Sequence, residues 1–393
     1  MIDRRTFLRA GVGGICAGTG GCNVRVRSFF SETPVTGAAP APQYDARRSG
    51  HASAVRGPRS SPALRWERTV EEYEGVTPVA HRGGVYVGGK LTDESRSGFA
   101  ALNALTGDTE WYVDDIYFST YPPMYGNVSP FVTNEALFLT NRKYLYRVDS
   151  GPEIEWEREV GGAGLVVRDD TVYVTRDELA AVDAATGAVR WTTRSLDVST
   201  APAAGTEGVY VGTYTNTVES WGHDGEYRWQ AELGADVICT PTVVEGRVLA
   251  STVGHGLHAL AVENGNSLWA FEIGAPVYAS PAVSDGRVYL GATDGNCYAI
   301  DLETGTELWQ FDAGGTLEHS FRGGPVCDGD LVYLAGMDGV VYALDAETGT
   351  EHWRYDVSEP VSSPLSVVNG FVYVGTEHGR VLALESKTRG ENR

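Results

Sequence analysis

The cysteines are the side chains whose chemistry would be easiest to recognise from the sequence. Cys16 and Cys22 lie in the first segment, while Cys239, Cys297 and Cys327 are dispersed through apolar sequence (VICT, NCYAI and PVCDG). An odd, dispersed set of this kind is typical of buried free thiols rather than of disulfides or metal ligands. The sequence therefore predicts three buried thiols and no cysteine-based site.

Three other patterns also have a simple structural explanation. His255 and His258 have a spacing that a metal pair can use, but a turn followed by a strand would direct the two rings apart. The Asp-Gly pairs lack the density of carboxylates that a Ca²⁺ loop needs, so turns are predicted there. The glycine run at 161–164 precedes a strand rather than a helix, which disfavours a phosphate site. We expect no local catalytic, cofactor or metal motif, and a dispersed triad stays open.

The strongest pattern in the chain is an internal repeat that aligns on tryptophan. Four segments fit A-x-[DN]-x-x-T-G-x-x-x-W and end at Trp111, Trp191, Trp309 and Trp353. Degenerate copies end at Trp156, Trp229 and Trp269, while Trp66 has no motif before it and Trp221 falls outside the register. The eight tryptophans in register are separated by 45, 45, 35, 38, 40, 40 and 44 residues. A period of about 40 residues is typical of propeller blades.

Each period contains signals for four short strands. A Ser-Pro, Thr-Pro or Gly-Pro step opens an apolar run, and a turn then leads to a Val-Tyr type strand. A second turn leads to an alternating strand, and a Thr-Gly turn precedes the tryptophan strand. Asp-Gly between such runs predicts a hairpin, because both turn positions need positive φ. The sequence therefore predicts an all-β propeller with four-stranded antiparallel blades.

The number of Val-Tyr type strand pairs predicts eight blades. They lie near Tyr86, Phe138, Tyr173, Tyr210, Leu249, Tyr289, Tyr333 and Tyr373. The last pair, at 370–385, has no tryptophan strand after it, and Trp66 has no strand pair before it. We therefore expect residues 63–70 to complete the last blade, so that an N-terminal strand closes the ring and removes its free edges.

The repeat resembles the PQQ-like β-propeller repeat of quinoprotein alcohol dehydrogenases and of outer-membrane-assembly propeller lipoproteins, over residues 63–386. Residues 43–50 (QYDARRSG) resemble the family's leader Q-[FY]…D…R-[ST]-G, which implies an ordered lead-in over 42–62. In the family the tryptophan docks on the next blade over the Thr-Gly turn. The resemblance implies this inter-blade role for Trp66, Trp111, Trp156, Trp191, Trp229, Trp269, Trp309 and Trp353.

The same resemblance bears on catalysis. The resemblance implies that a PQQ-dependent dehydrogenase of this family would carry a vicinal Cys-Cys pair, a catalytic Asp, and Glu and Asn ligands for Ca²⁺. The chain contains no Cys-Cys pair and is shorter than the family's dehydrogenases. We therefore expect a non-catalytic member without a cofactor, although fold alone does not decide function.

The first segment has the features of an export signal. Arg4 and Arg5 resemble a twin-arginine signal, and the weak apolar run that follows is too short to span a bilayer. Thr19-Gly20-Gly21-Cys22 resembles a lipobox, which predicts a signal over 1–22 and a lipid on Cys22. A plain cleaved signal with an incidental cysteine is the alternative. Residues 23–41, rich in Pro, Ala, Ser and Thr, are expected to be a flexible tether, and 387–393 a disordered tail.

Composition limits the possible partners. The chain has 31 Lys plus Arg against 52 Asp plus Glu, a formal charge of −21, which argues against binding to nucleic acid. Only three of the basic residues are Lys. An acidic, Lys-poor chain suits solubility in high salt, which motivates the hypothesis of a salt-loving source.

Three connections on one side of the blades are longer than the repeat requires, at 91–98, 112–128 and 312–323. Aromatic, proline-stiffened loops on a rigid support are where binding energy often concentrates. The candidate binding residues are Tyr112, Tyr117, Phe118, Tyr121, Tyr125, Glu318, His319 and Arg322. The alternative is a lid that covers the central channel and binds nothing.

These observations favour a monomeric, lipid-anchored protein on the outer side of the cytoplasmic membrane. It is expected to act as a non-enzymatic scaffold for a protein or peptide partner. Two alternatives stay open, namely an oxidoreductase that retains PQQ or another ligand over the channel, and a solute-sensing module.

Overall fold

The computed structural model describes residues 45–51, 55–71, 76–92, 94, 98–114, 116, 130–141, 143–162, 164–194, 196–254, 256–314 and 320–387. Within these ranges the chain is all β and has no helix, so none that could cross a membrane. Signal, lipidation and tether predictions over 1–41, including Cys22, lie outside the described residues, as do the first part of the lead-in (42–44) and most of the tail.

The strands follow the tryptophan period, and we number seven consecutive groups of four as repeats 1 to 7. Repeat 1 contains β2 (Val79–His81), β3 (Gly84–Leu91), β4 (Gly98–Asn103) and β5 (Thr109–Asp114). Repeat 2 contains β6 (Phe131–Val132), β7 (Leu137–Thr140), β8 (Leu145–Val148) and β9 (Ile154–Arg158). Repeat 3 contains β10 (Gly164–Arg168), β11 (Thr171–Thr175), β12 (Leu179–Asp183) and β13 (Val189–Thr192). Repeat 4 contains β14 (Ala203–Ala204), β15 (Val209–Gly212), β16 (Thr217–Trp221) and β17 (Tyr227–Glu232).

The later repeats are the more regular ones. Repeat 5 contains β18 (Thr242–Val244), β19 (Arg247–Thr252), β20 (Gly256–Ala261) and β21 (Ser267–Phe271). Repeat 6 contains β22 (Ala282–Ser284), β23 (Arg287–Gly291), β24 (Asn296–Asp301) and β25 (Glu307–Asp312). Repeat 7 contains β26 (Val326–Cys327), β27 (Leu331–Ala335), β28 (Val340–Asp345) and β29 (Glu351–Asp356). The remaining strands are β1 (Ala63–Glu71), β30 (Ser366–Val368), β31 (Phe371–Gly375) and β32 (Arg380–Glu385).

The sheets are antiparallel meanders, consistent with a β-propeller. Repeats 2 to 7 each form a four-stranded sheet in chain order, among the residues that the structure describes. The rest belong to an eight-stranded sheet in the order β30-β31-β32-β1-β3-β4-β5, with β2 paired to β3. In that sheet β1 pairs with β32 from Ala63↔Glu385 to Thr69↔Arg380, and with β3 only at Val70↔Leu91 and Glu71↔Lys90.

Burial explains why these segments are strands. The second strand of each repeat is buried on both faces, as in Val209–Gly212, because neighbouring sheets pack against it. The fourth strand is instead mostly exposed, as in Ile154–Arg158, where Trp156 alone is buried. The predicted Asp-Gly turn between β22 and β23 has positive φ at both residues, 49° at Asp285 and 72° at Gly286. These two positive φ angles are what a two-residue hairpin turn between β22 and β23 requires.

In the described part of the chain, six tryptophans of the repeat contact the repeat that follows them. Trp309 Nε1 donates to the Ala346 carbonyl oxygen at 3.2 Å, and its ring lies where a Cβ on Gly349 would approach to 2.6 Å. The same donation runs from Trp66 to Ala104, from Trp191 to His223, from Trp229 to Val262 and from Trp269 to Leu302. Trp156 lies against Gly187 in the same way. Gly349 and Gly187 both have a positive φ, so each turn presents backbone without a side chain to the indole.

Candidate functional site

The connections of each meander fall on two sides. Turns that join the first to the second strand and the third to the fourth lie on one side, called here the turn face. Hairpins that join the second to the third strand, and connections to the next repeat, lie on the other side, called here the loop face. Of the candidate binding residues, Tyr112 and Arg322 lie within the described ranges, and both belong to or border connections on the loop face.

Tyr112 corrects one expectation. The sequence places it in the long connection after repeat 1, but the structure places it within β5, paired with Ala100. Its hydroxyl donates to the Gly89 carbonyl oxygen at 3.0 Å, and its ring lies where a Cβ on Gly98 would approach to 2.7 Å. Because the ring covers its own sheet at Gly89 and Gly98, Tyr112 does not present a free aromatic surface.

Arg322 lies on the loop face beside the connection between repeats 5 and 6. Its guanidinium carbon is 5.7 Å from the ring centroid of Tyr278, which is itself 36% exposed. The preceding residue, Phe321, is fully buried, and its ring meets Tyr342 edge-on at 5.8 Å. Phe321 therefore anchors the connection between repeats 6 and 7, and it holds the exposed Arg322 and Tyr278 together as a cation–π pair.

The other predicted loop residues are Tyr117, Phe118, Tyr121, Tyr125, Glu318 and His319, which lie outside the described residues. His255 also lies outside them, so the His255 and His258 pair stays untested. Within the described ranges, no group of three or more His, Cys, Asp or Glu side chains is arranged to hold a metal ion.

A small cleft of about 230 Å³ opens on the loop face between repeats 2 and 3. Its polar lining consists of Glu159, Arg176, Asp177 and Glu178. Gly161 forms its floor, where a Cβ would meet the Tyr144 nitrogen at 2.2 Å. The cleft is shallow, and acidic side chains outnumber the single guanidinium on its wall.

The lead-in crosses the inner edges of several sheets, a contact that the sequence did not predict. Carbonyl oxygens of Ala46, Arg47, Ser49 and Gly50 accept hydrogen bonds from Ala204, Val243, Val283 and Cys327, respectively. These donors lie on the first strands of repeats 4, 5, 6 and 7. First strands line the axis of a propeller, so this segment lies across the axis. Gly50 has φ +63°, and a Cβ there would meet Ala282 Cβ at 2.6 Å.

Arg48 extends this arrangement to repeat 3. Its guanidinium is buried and donates through Nη2 to the Leu165 carbonyl oxygen at 2.6 Å. Burial lowers the pKa of Arg48 to about 10, with a smaller opposing effect from Asp45. The group therefore remains charged at neutral pH, and it links the lead-in to a fifth sheet.

Asp328 joins the lead-in to repeat 7. Its side chain is fully buried, and Oδ2 accepts hydrogen bonds from the Gly57 nitrogen and the Tyr333 hydroxyl, both at 2.9 Å. Arg59 Nη2 lies 3.1 Å from the same oxygen. Nearby, Trp353 Nε1 donates to the Pro58 carbonyl oxygen at 2.8 Å. The sequence marks Asp328 only as a turn residue, because Gly57 and Arg59 lie about 270 residues away in the chain.

The three described cysteines are free and buried, as their apolar contexts predict. Burial raises the pKa of Cys239 to about 12 and that of Cys327 to about 12, and it also raises that of Cys297. These thiols remain protonated at neutral pH; Cys297 lies in β24, Cys327 in β26, and Cys239 in the loop before β18. They supply no nucleophile at the surface.

Sequence comparison finds one family. The family model described as "Outer membrane protein assembly factor BamB" matches residues 141–232, 197–310 and 293–391. These overlapping matches span more than half of the chain. No curated protein sequence matches the chain.

Solved structures resemble this chain over most of its length. BamB from Moraxella catarrhalis superposes with a TM-score of 0.65 at 19% identity, covering 82% of this chain and 99% of that one. The computationally designed Ika8 protein gives 0.68 at 16% identity, covering 81% and 98%. Quinohemoprotein alcohol dehydrogenase from Comamonas testosteroni gives 0.73 at 15% identity, covering 94% and 84%. At these identities the likeness shows a shared fold alone.

Proposed function

The chain belongs to the family described as outer membrane protein assembly factor BamB, and we propose that it is a non-catalytic scaffold which binds a protein or peptide partner outside the cytoplasm. The match over residues 141–391 carries the proposal, because the family is named for assembly of proteins rather than for a reaction. The buried, protonated cysteines and the lead-in across the axis fit a structural role for the interior.

We further propose eight blades in a ring closed by the N-terminal strand. Support comes from the six-pair register between β1 and β32, which completes a four-stranded unit β30-β31-β32-β1. The Trp66 donation to Ala104 is the same contact that the other tryptophans make to the following repeat. Trp353 donates instead to the Pro58 carbonyl oxygen, because the strands that follow it are not joined by a Thr-Gly turn.

Export and anchoring are also part of the proposal. The twin arginines and the lipobox at 19–22 support transport across the cytoplasmic membrane and a lipid on Cys22. A single acyl chain anchors a protein only marginally, so a diacylated cysteine suits stable attachment. Residues 23–41 would then tether a monomeric ring on the outer side of that membrane.

The loop face is the proposed binding surface. The exposed Arg322 and Tyr278 pair lies there, beside the connection that contains Glu318 and His319. Tyr117, Phe118, Tyr121 and Tyr125 follow Tyr112 in the sequence, beyond the end of β5. Arginine and aromatic side chains on a rigid support are the residue types that dominate binding energy at protein interfaces.

Cross-linking in native membranes, followed by mass spectrometry, tests this function. Wild-type protein should capture one polypeptide reproducibly, and replacing Tyr117, Phe118 and Tyr121 together by Ser should reduce capture at least about tenfold. Tyr214→Ser is the matched control, because Tyr214 is an exposed tyrosine on the same face. Equal capture by wild type and the triple variant would remove the binding surface from this loop. No captured polypeptide would argue against the scaffold function itself.

A further inference from the structure

The outer strands of the sheets differ in how they protect their free edges. Each fourth strand has one edge paired with the third strand and one edge that faces outward. Charged side chains on such an edge discourage other strands from pairing with it. Seven outer strands carry at least one charged residue within their bounds: β1, β5, β9, β13, β17, β25 and β29. The outer strand of repeat 5, β21, has the sequence Ser-Leu-Trp-Ala-Phe and carries none.

The side chains of β21 are apolar and accessible. Leu268 is 49% exposed, and Ser267 and Ala270 are also exposed. Trp269 turns inward and donates through Nε1 to the Leu302 carbonyl oxygen of the next repeat at 3.0 Å, which fixes the strand in place. One edge pairs with β20 from Leu257↔Phe271 to Leu260↔Ser267, and in the described part of the chain no strand pairs with the other.

The chain segment that contains β21 carries charge of a single sign. Residues 248–286, which include β20, β21 and β22, contain no Lys or Arg. Glu263 and Glu272 lie just before and just after β21, and both are exposed. An extended segment alongside β21 would therefore meet uncharged side chains at its centre and carboxylates at both ends. Charge complementarity favours basic residues at the ends of that segment.

We propose that the outer edge of β21 accepts an extended strand from a partner protein, a strand that is apolar and uncharged at its centre and basic at its ends. Main-chain hydrogen bonds to the free edge supply the contact, and Leu268 and the flanking carboxylates set its sequence preference. The inference rests on the proposed scaffold function and adds a second contact, away from the loop face.

A defined peptide tests the proposal. The probe is fluorescein-labelled Lys-Lys-Val-Thr-Val-Thr-Val-Lys-Lys, titrated into purified protein and followed by fluorescence anisotropy. Leu268→Lys places a charge on the edge, as the other outer strands do, and should weaken binding at least about tenfold. The matched control is Leu308→Lys, at the equivalent position of β25, where Leu308 is 45% exposed and Glu307 is adjacent. It should change the affinity less than about twofold.

Two further peptides separate strand addition from attraction of a basic peptide to an acidic protein. A peptide with Pro at its centre keeps the charge but cannot complete a ladder, and it should lose binding. A peptide with Glu in place of each Lys should also lose binding. Backbone amides of 267–271 should gain protection from hydrogen exchange in the complex, while those of 307–312 should not.

Several outcomes would overturn the inference. They are no binding of the probe to wild type, equal loss in Leu268→Lys and Leu308→Lys, or equal binding of the Pro peptide. A dimer in sedimentation that Leu268→Lys abolishes would assign the edge to a second copy instead. If Leu268→Lys retains the membrane partner while the loop-face triple variant loses it, the β21 inference fails and the scaffold function stands. If neither the wild type nor any variant captures a polypeptide, the scaffold function is overturned.

Discussion

The contact between Trp309 and Gly349 should make a measurable, non-additive contribution to stability. Trp309 is buried and donates to Ala346, so Trp309→Ala should lower the free energy of unfolding by about 3–5 kcal/mol. Gly349→Ala should also destabilise, because φ is +71° there and the new Cβ would lie 2.6 Å from the indole. The left-handed backbone costs about 1–2 kcal/mol, and the overlap about 1–3 kcal/mol more.

The double variant identifies the contact. Once the indole is gone, a methyl group at position 349 has space, and only the backbone strain remains. The double variant should therefore be more stable than the sum of the two single effects, by about 1–3 kcal/mol. Urea titrations followed by circular dichroism and by fluorescence measure the four free energies. Leu308→Ala, at the exposed neighbouring residue, should change stability by less than about 0.5 kcal/mol.

Strict additivity of the two substitutions would refute this packing. A decrease of less than about 1 kcal/mol in the free energy of unfolding of Trp309→Ala would refute it as well, because removal of a buried indole costs more than that.

Three further predictions concern buried polar groups. Asp328→Asn should lower the free energy of unfolding by about 2–4 kcal/mol, because it removes the negative charge that Gly57, Tyr333 and Arg59 face. The control is Asp330→Asn, at a side chain that is 61% exposed, and it should cost below about 0.5 kcal/mol in the same urea titration. The described cysteines should resist a thiol reagent at pH 8 and react only after unfolding, since burial raises the pKa of Cys239 and of Cys327 to about 12; rapid labelling of the folded chain would contradict this. Burial, with Arg82 nearby, lowers the pKa of His81 from 6.5 to about 4. The free energy of unfolding should therefore fall as the pH is lowered from about 6.5 to 4, by up to about 1.4 kcal/mol per pH unit. His81→Gln should reduce this pH dependence in urea titrations at several pH values.

The repeat was readable from sequence because it encodes the fold locally. Turn residues, alternating strands and the tryptophan all lie within about 40 residues of one another, so the all-β class and the PQQ-like family were both predicted and are both confirmed. Degenerate copies at Trp156 and Trp229 still formed four-stranded sheets, because strand alternation survives where the Thr-Gly motif does not. The pairing of β1 with β3 at Val70 and Glu71 has no local signal in the chain.

The candidate site was less predictable. Tyr112 was assigned to a loop because an aromatic run continues past it, yet pairing with Ala100 keeps it in β5. Arg48 and Asp328 were missed as anchors, because each has a partner more than a hundred residues away in the chain, which only the fold brings close. The leader motif was the available signal for Arg48 and Gly50. The uncharged edge of β21 became visible only when the outer strands could be compared.

Native mass spectrometry of the protein, solubilised from its own membrane with bound material retained, tests the central claim most directly. The scaffold account predicts a chain that begins at a lipid-modified Cys22, in complex with a second polypeptide at fixed stoichiometry. A chain without a protein partner that carries a stoichiometric quinone would contradict the account and assign the protein to oxidoreductase chemistry.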